Sequence, residues 1–428
     1  MLLLEGFKSD CMEKIQDFSK IKFRIKDQVY EGIVMPRTLY EDEDHITVKL
    51  SNGYNIGIEK SKIEILKIEP QKAQSEVIQE KEFESHGPKI LIIGTGGTIS
   101  SKIDYRTGAV KPAFTASQIV DMVPEIKSIA SINVKTIMNE LSENMQPSNW
   151  TLMAKEVYNA FESGYEGIVI AHGTDTMHYS ASALSFAIEN PKGPVVFVGS
   201  QRSSDRPSSD AATNLLGAVT FAAKSYSPGV YVAMHASLDD DTIAIHKGVK
   251  VRKNHTSRRD AFKSINARPF AFVDIKKQEI RFTENKQEVK GSMRLYEKFS
   301  ERAALLKFYP GISDRYLLSV FNKDLFDAII IEGTGLGHVS RKAFPYLKDY
   351  IRNEGFIGMT SQCIWGSVRL TVYETGRDLL SIGVTPLEDM LSEVALVKSM
   401  WALGNGFNLK EIMPKNLRGE ISERREVQ

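Results

Sequence analysis

Lys89-Ile-Leu-Ile-Ile-Gly-Thr-Gly-Gly-Thr-Ile-Ser100 is the stretch of this chain that decides its fold class. The apolar residues 90–93 are typical of a buried parallel strand, and the glycines after them are typical of a sharp turn. In open α/β sheets, ligands bind at the carboxyl ends of the strands. A hydroxyl held there by a glycine-rich turn, such as that of Thr98, is therefore a candidate nucleophile.

A second stretch repeats this arrangement. Gly167-Ile-Val-Ile-Ala171 is another apolar run, and His172-Gly-Thr-Asp-Thr-Met177 follows it directly. Thr174 lies just past the strand end, beside the carboxylate of Asp175. Because the ends of neighbouring parallel strands share one edge of a sheet, Thr98, Thr174 and Asp175 are expected in one pocket. The alternative is that Thr174 and Asp175 only cap the next helix.

The composition sets limits on the class of protein. Of the 428 residues, 42% are hydrophobic and 25% are charged, and the formal net charge of +1 gives no basic excess for nucleic-acid binding by this chain alone. Its two cysteines, Cys11 and Cys363, exclude a disulfide framework and suit a reducing cytosol. The amino-terminal apolar run is too short for a signal peptide, and no stretch is long enough to span a bilayer. We expect a cytoplasmic protein without a membrane partner.

The patterns along the chain predict three structured domains. Short alternating runs, with a hairpin signal at Ser51-Asn-Gly53, predict a small SH3-like β-barrel over residues 1–69, and the polar stretch 70–88 is typical of a linker. Alternating strands and helices predict a doubly wound α/β domain over 89–274, with strands at 90–93, 168–171, 195–198 and 230–234. A connecting segment over 275–319 leads to a second α/β domain and tail over 320–428, with strands at 328–331 and 356–359.

Phosphate-binding loops and metal sites are disfavoured. Gly94-Thr-Gly-Gly-Thr-Ile99 and Gly333-Thr-Gly-Leu-Gly-His338 both lack the sixth glycine of the dinucleotide-binding turn, and no Walker sequence is present. His172 is expected to satisfy a local hydrogen bond, although a base is the alternative. No histidine or cysteine spacing predicts a metal site.

A candidate cation for the pocket lies further along, in Asp260-Ala-Phe-Lys263-Ser264. A lysine can act as a base where burial and neighbouring groups lower its pKa. A basic run precedes it, which favours a solvated hairpin, with a tRNA or partner contact as the alternative; its residues are Lys247, Lys250, Arg252, Lys253, Arg258 and Arg259.

Three of these motifs together resemble the L-asparaginase family. They are Thr95-Gly-Gly-Thr-Ile99, the stretch 172–177 and the stretch 260–264, and the resemblance covers residue 89 to about residue 408. It implies two asparaginase-type α/β domains with mainly parallel sheets. It also implies that Thr98 attacks the side-chain amide and that Tyr105, on a mobile loop, helps to activate it.

The resemblance assigns further roles at the site. Thr174, Asp175 and Lys263 match a hydrogen-bonded triad that activates either the water or the first nucleophile. Ser142 and Glu143 match positions that hold the α-carboxylate and α-amino groups of the substrate, where the family often has Gln in place of the glutamate. Gly97 and Gly173 are expected to contact the substrate, and backbone N–H groups of residues 96–98 are placed to stabilise the oxyanion. No metal or organic cofactor is implied for this chain.

Two departures indicate one branch of the family, the glutaminase subunits of archaeal tRNA-dependent amidotransferases. They are the extra amino-terminal β domain and Val198-Gly-Ser-Gln-Arg-Ser-Ser-Asp-Arg-Pro-Ser-Ser-Asp210. That resemblance implies that the chain hydrolyses glutamine and passes ammonia to a kinase/transferase partner, the E subunit, which uses ATP and Mg²⁺ to convert Glu-tRNA(Gln) to Gln-tRNA(Gln). It further implies a homodimer within a heterotetramer of two copies of each protein, with tRNA contacted mainly through the kinase/transferase partner.

Two other functions stay open at this point. A free cytoplasmic L-asparaginase would use the same residues, but the amino-terminal domain and the segment 201–210 argue against it. A non-catalytic RNA- or protein-binding subunit is disfavoured because every motif residue is retained.

Overall fold

A computed structural model of the chain describes residues 19–35, 44–50, 54–69, 82–83, 87–96, 101–103, 110–112, 123–202, 208–289 and 291–422. The first part is a five-stranded antiparallel sheet in the order β4-β3-β2-β1-β5. Its strands are β1 Lys20–Ile25, β2 Gln28–Val34, β3 His45–Leu50, β4 Asn55–Glu59 and β5 Glu64–Glu69. Alternate apolar side chains, including Ile21, Phe23 and Val48, form a small core of their own. The expected hairpin joins β3 to β4, and its turn at 51–53 lies outside the described residues.

The middle of the chain alternates strands and helices, as the sequence predicts. The elements are β6 Glu82–Phe83, β7 Lys89–Gly94, β8 Ser101–Ile103, β9 Val110–Pro112, β10 Ser131–Thr136, α1 Pro147–Glu162, β11 Gly167–Ala171, α2 Met177–Ala187, β12 Ile188–Glu189, β13 Pro194–Val198, α3 Ala211–Lys224, β14 Gly229–His235, β15 Thr242–Lys247, β16 Val251–Lys253, β17 Phe262–Ser264, β18 Ala271–Asp274 and β19 Glu279–Phe282. The strands expected at 90–93, 168–171, 195–198 and 230–234 are confirmed as β7, β11, β13 and β14.

These strands build a nine-stranded sheet in the order β19-β18-β15-β14-β13-β11-β7-β10-β6. Its centre, from β14 to β10, is parallel, and antiparallel strands extend both edges. One face packs on α3 and the other on α1 and α2. Helix α2 is buried on nearly all sides and uses small residues, because it lies between this sheet and a helix of the carboxyl-terminal part.

The last part contains a parallel four-stranded sheet in the order β21-β22-β23-β24. Its elements, with the short strand before it, are β20 Arg294–Leu295, β21 Ala303–Lys307, α4 Asp314–Val320, β22 Ala328–Gly333, α5 Phe344–Arg352, β23 Phe356–Ser361, α6 Glu374–Ile382, β24 Thr385–Pro386, α7 Ser392–Gly404 and α8 Leu409–Ile412. The strands expected at 328–331 and 356–359 are confirmed. Helix α7 packs on α2, so one apolar core runs from the first sheet to the second.

The architecture therefore has an antiparallel sheet followed by two α/β parts with mainly parallel sheets. The strand β21 and all of α4 but its last residue lie within the stretch 275–319 that the sequence assigns to a connection. The expected linker 70–88 lies mostly outside the described residues.

Candidate active site

Strands β7 and β11 bring the two motifs of the sequence analysis together. They are parallel neighbours, with Gly94 opposite Ala171 at their carboxyl ends. Both the backbone N–H and the hydroxyl of Thr95 donate to the carbonyl of Ala171, at 3.1 and 2.9 Å. The expectation that the two strand ends adjoin is confirmed. Thr98, Tyr105 and Gly97 lie outside the described residues, so the roles assigned to them stay predictions.

Gly96 shows why the turn after β7 needs glycine. Its φ is +104°, and a Cβ there would lie 2.5 Å from the carbonyl oxygen of Glu140 and 2.6 Å from its nitrogen. The segment after β10 crosses the turn at this point, where Glu140 N–H donates to Thr95 O at 2.9 Å. At Gly96, a packing requirement thus adds to the catalytic reason that the sequence gives for glycine in this turn.

Thr174 and Asp175 form a hydrogen-bonded group with a lysine, and that lysine is Lys253. Its Nζ donates to Thr174 Oγ1 at 2.8 Å and to Asp175 Oδ1 at 2.7 Å. Thr174 is 5% exposed and the lysine side chain 10% exposed, whereas the aspartate side chain is 67% exposed. An ammonium group, a hydroxyl and a carboxylate therefore meet at the edge of the sheet, with only the carboxylate open to solvent.

The assignment of Lys263 to this triad is wrong. Its Nζ donates to Asp260 Oδ2 at 2.9 Å and reaches the carbonyl of Ala236 at 3.5 Å. In the antiparallel pair β16–β17, Lys253 is opposite Phe262 and Arg252 is opposite Lys263. Successive side chains of a strand point to opposite faces, so the two lysines lie on different faces of the hairpin. The pairing register of the two strands therefore decides which lysine faces the site. The sequence around residue 260 does not reveal that register.

Ser142 and Gly173 lie in direct contact beside this group. Ser142 is buried at the start of a short 3₁₀ helix, and its carbonyl accepts a 2.6 Å hydrogen bond from the hydroxyl of Thr176. A Cβ on Gly173 would lie 2.7 Å from Ser142 Cβ, so a larger residue would separate the two turns. Glu143, next to Ser142, is exposed at the same edge. The structure thus brings together four of the predicted site residues, Ser142, Gly173, Thr174 and Asp175.

A third strand end supports Thr174 and was not expected from the sequence. A Cβ on Gly199, just after β13, would lie 2.8 Å from Thr174 Cγ2 and 2.7 Å from the carbonyl oxygen of His172. The turn after Gly199 is held by the fully buried Asp210, whose carboxylate accepts N–H bonds from Gln201 at 3.0 Å and Arg202 at 3.1 Å. The sequence analysis singled out the motif 198–210 but did not connect it with Thr174.

Three buried histidines, His172, His178 and His246, stay neutral at neutral pH. Burial lowers the pKa of His172 to about 4, although the hydrogen bond of its Nδ1 to Gly173 O opposes the shift. Burial, followed by the nearby Arg252 and Lys253, lowers the pKa of His178 to about 3. Burial, followed by Lys263, lowers the pKa of His246 to about 3. The expectation that His172 satisfies a local hydrogen bond is confirmed. Below, "the buried histidines" are these three.

The basic run does form a hairpin, β16–β17, but the prediction that it is solvated holds only in part, because Arg258 is half exposed whereas Lys250 and Lys253 are almost fully shielded from water. Each of its cations contacts a carboxylate, and two of those carboxylates belong to the carboxyl-terminal part. The pairs are Lys247–Glu284, Lys250–Asp389, Arg252–Glu393, Lys253–Asp175, Arg258–Asp260 and Arg259–Asp240. The run is therefore neutralised within the fold, which disfavours it as a surface for polyanions.

Within the ranges given above, no group of three or more His, Cys, Asp or Glu side chains is arranged to hold a metal ion. No helix among the described residues is both long and apolar enough to cross a bilayer.

Sequence models of known families match three parts of the chain. "Asparaginase, N-terminal" matches residues 89–288 and "Glutaminase/Asparaginase C-terminal domain" matches residues 302–414. "GatD N-terminal domain" matches residues 15–68, which contain the five-stranded sheet.

Known proteins resemble the chain over nearly its whole length. It is 44% identical over 423 residues to the D subunit of glutamyl-tRNA(Gln) amidotransferase from Thermofilum pendens, covering 96% of this chain and 94% of the relative. It is 46% identical over 417 residues to the protein of that name from Saccharolobus islandicus, with the same coverage. Among solved structures, the thermostable L-asparaginase from Thermococcus kodakarensis matches with a TM-score of 0.71 and 35% identity, over 78% of this chain and all of that one.

Proposed function

Because the chain belongs to the asparaginase family, we propose that it is the glutaminase subunit of a glutamyl-tRNA(Gln) amidotransferase. Its relatives of that name share the amino-terminal domain as well as the two asparaginase parts. The L-asparaginase of known structure, by contrast, matches 78% of the chain. The proposed reaction releases ammonia from the side-chain amide of glutamine and leaves glutamate.

The observation that carries the proposal is the contact of Lys253 with Thr174 and Asp175. It places an ammonium group, a hydroxyl and a carboxylate within hydrogen-bond distance at the strand edge where the Thr-Gly-Gly-Thr turn begins. Such a group can hold or move a proton beside a reacting amide. Thr174 and Lys253 are largely shielded from water, which strengthens their electrostatic influence on a bound substrate.

In the proposed reaction, the hydroxyl oxygen of Thr98 forms a bond to the amide carbon of glutamine. The hydroxyl proton passes to a base and then to the departing nitrogen, so that the C–N bond breaks and ammonia leaves. Water then attacks the acyl-threonine and releases glutamate. Two proton routes remain: the lysine group activates Thr98, with Tyr105 assisting, or it activates the water. Each N–H donor to the oxyanion is typically worth about 3–4 kcal/mol.

Ser142 and Glu143 are proposed to hold the α-carboxylate and α-amino groups of glutamine, since a carboxylate pairs well with an ammonium group. Exposure of Glu143 and Asp175 at the edge of the sheet supports an open entry for the substrate.

The relatives' name makes this chain one component of a complex with other amidotransferase proteins. We propose that its direct partner is the kinase/transferase protein, the E subunit, in a heterotetramer built on a homodimer of this chain. That partner is proposed to carry most contacts to tRNA together with the ATP and Mg²⁺ chemistry. Neutralisation of the basic run supports this division of tasks. A cytoplasmic location is proposed because charged tRNA is the substrate of the complex.

The test is glutamate release from glutamine by the chain with its kinase/transferase partner and Glu-tRNA(Gln), for the unsubstituted protein and Thr98→Ala. We expect the substitution to abolish glutamine-dependent amidation, while amidation with added ammonium chloride survives. Normal glutaminase activity of Thr98→Ala removes this residue as the nucleophile. Faster turnover of free asparagine than of glutamine, independent of tRNA, would instead identify a free asparaginase.

A further inference from the structure

Both ring nitrogens of His235 face oxygen atoms. This residue lies at the end of β14 and is fully buried. Its Nδ1 lies 2.6 Å from Oδ1 of Asn214, on α3, and its Nε2 lies 3.0 Å from Oδ1 of Asp240. A neutral imidazole carries one proton and can donate to only one of these oxygens.

The side-chain amide of Asn214 has only one satisfactory orientation. Its Nδ2 donates to the carbonyl of Gly199 and to Oδ2 of Asp210, both at 2.9 Å. A flipped amide would place oxygen against two oxygen acceptors. Oδ1 therefore faces His235, and Nδ1 of the histidine carries a proton. On the other side Nε2 faces a carboxylate, which only accepts when ionised, so this nitrogen carries a proton as well.

Asp240 is held ionised by its contacts with His235 and Arg259. Its hydrogen bond with His235 lowers the pKa of this carboxyl most, burial opposes the shift, and Arg259 at 2.7 Å lowers the pKa further. Arg259 also donates to the carbonyl of Ser208 at 2.8 Å, and Ser208 has a left-handed φ of +55° that is unusual for serine. Among the described residues, two other charged groups lie near His235: Lys263, which reaches the carbonyl of Ala236, and Asp210 beyond Asn214.

These contacts form a continuous chain, which we call the His235 network: Asp210, Asn214, His235, Asp240 and Arg259. Within this network, Asn214 donates to the carbonyl of Gly199 and Arg259 donates to that of Ser208. Gly199 in turn packs directly against the Thr174 side chain. A shift of the network therefore reaches a hydroxyl of the site through one residue.

We propose that His235, protonated on both ring nitrogens, is a positioning residue that acts through Asn214 and Gly199 on Thr174. The inference rests on the proposed glutaminase function for its kinetic consequence only. A misplacement of about 1 Å near the chemistry can reduce turnover about 100-fold, so loss of this support is expected to lower kcat more than it raises KM.

The protonation state is tested first, without any activity assay. Nitrogen-15 NMR of the full chain labelled in histidine, with His235→Gln to identify the resonances, is expected to show both ring nitrogens protonated near neutral pH. An unprotonated ring nitrogen at residue 235 overturns the inference, even if the glutaminase is fully active. Conversely, absence of glutaminase activity in the unsubstituted complex refutes the proposed function and leaves the NMR result standing.

The path through Asn214 is tested with a double-mutant cycle on glutamine hydrolysis. We expect His235→Phe to lower kcat about 10-fold to 100-fold, with KM for glutamine changed by no more than about twofold. The double variant with Asn214→Ala is expected to be no slower than Asn214→Ala alone, because both substitutions break one path. Multiplying losses would refute that path. Asp239→Asn, an exposed neighbour of Asp240, is the matched control; if His235→Phe does not fold, His235→Gln takes its place in the cycle.

Discussion

Replacing Lys253 with alanine tests the geometry of the site most directly. The substitution removes the donor to both Thr174 and Asp175. A positioned acid–base group typically contributes about 100-fold to 10,000-fold in rate, so we expect glutamine turnover to fall at least about 100-fold, equivalent to about 2.7 kcal/mol in the barrier. The ion pair with Asp175, whose side chain is 67% exposed, contributes at most about 1 kcal/mol to folding. Thermal unfolding is therefore expected to move by only a few degrees, and a melting curve of the variant separates loss of catalysis from loss of folding.

Lys263→Ala is the matched control, because it removes a lysine from the same hairpin. That side chain is 42% exposed and pairs with Asp260, which keeps Arg258 as a partner. Exposed substitutions usually change free energies by no more than about 0.5 kcal/mol, so turnover should stay within about threefold. The assay is glutamate release by the complex with Glu-tRNA(Gln). A large loss in Lys263→Ala together with normal turnover in Lys253→Ala would refute the reasoning.

A third variant separates the two roles open to this lysine. Arginine keeps the positive charge but does not give up its proton in proteins. If Lys253 moves a proton, Lys253→Arg is expected to be nearly as slow as Lys253→Ala. Full activity of Lys253→Arg would leave an electrostatic role and exclude proton transfer by this residue.

Three further predictions concern packing, acid stability and a buried ion pair. Gly199→Ala would bring a Cβ within 2.8 Å of Thr174 Cγ2 and is expected to lower kcat. Gly57→Ala, with open space around it, should leave activity unchanged. Equal activity of the two variants would contradict the packing argument. The buried histidines bind protons in the unfolded chain below about pH 6.5, but in the folded chain only below about pH 4 or 3. The free energy of unfolding should therefore fall as the pH falls through this window, by about 1.4 kcal/mol per pH unit for each histidine. Urea midpoints that do not change between pH 7 and 5 would be inconsistent with that expectation. Lys398→Met should destabilise the protein by about 3–5 kcal/mol, measured by denaturant unfolding, because it leaves the Glu420 carboxylate buried without its cation; a much smaller change would show that the carboxylate gains water.

Apolar patterning predicted the sheets well, because a strand buried on both faces needs an uninterrupted apolar run. β7, β11, β13 and β14 all have this pattern. The adjacency of the β7 and β11 strand ends followed from the rule that parallel strand ends share an edge of the sheet.

The identity of the site lysine did not follow from sequence, for a physical reason. Lys253 and Lys263 lie on the two strands of one hairpin, and the cross-strand register decides which face each side chain occupies. The neutralisation of the basic run was hidden for a similar reason. Its counter-ions include Asp389 and Glu393, more than a hundred positions further along the chain, so the pairing depends on the tertiary fold.

The strand that carries Lys253 also has consequences for attempts to dissect the protein. Three cations lie within four consecutive positions. Lys250 pairs with Asp389 and Arg252 with Glu393, whereas Lys253 pairs with Asp175 of the site. An excised fragment ending near residue 288 would keep the described site residues. It would, however, leave Lys250 and Arg252 without their carboxylate partners. The carboxyl-terminal part thus holds the residues beside Lys253 in position. Transfer of a new specificity to this fold therefore requires both α/β parts together.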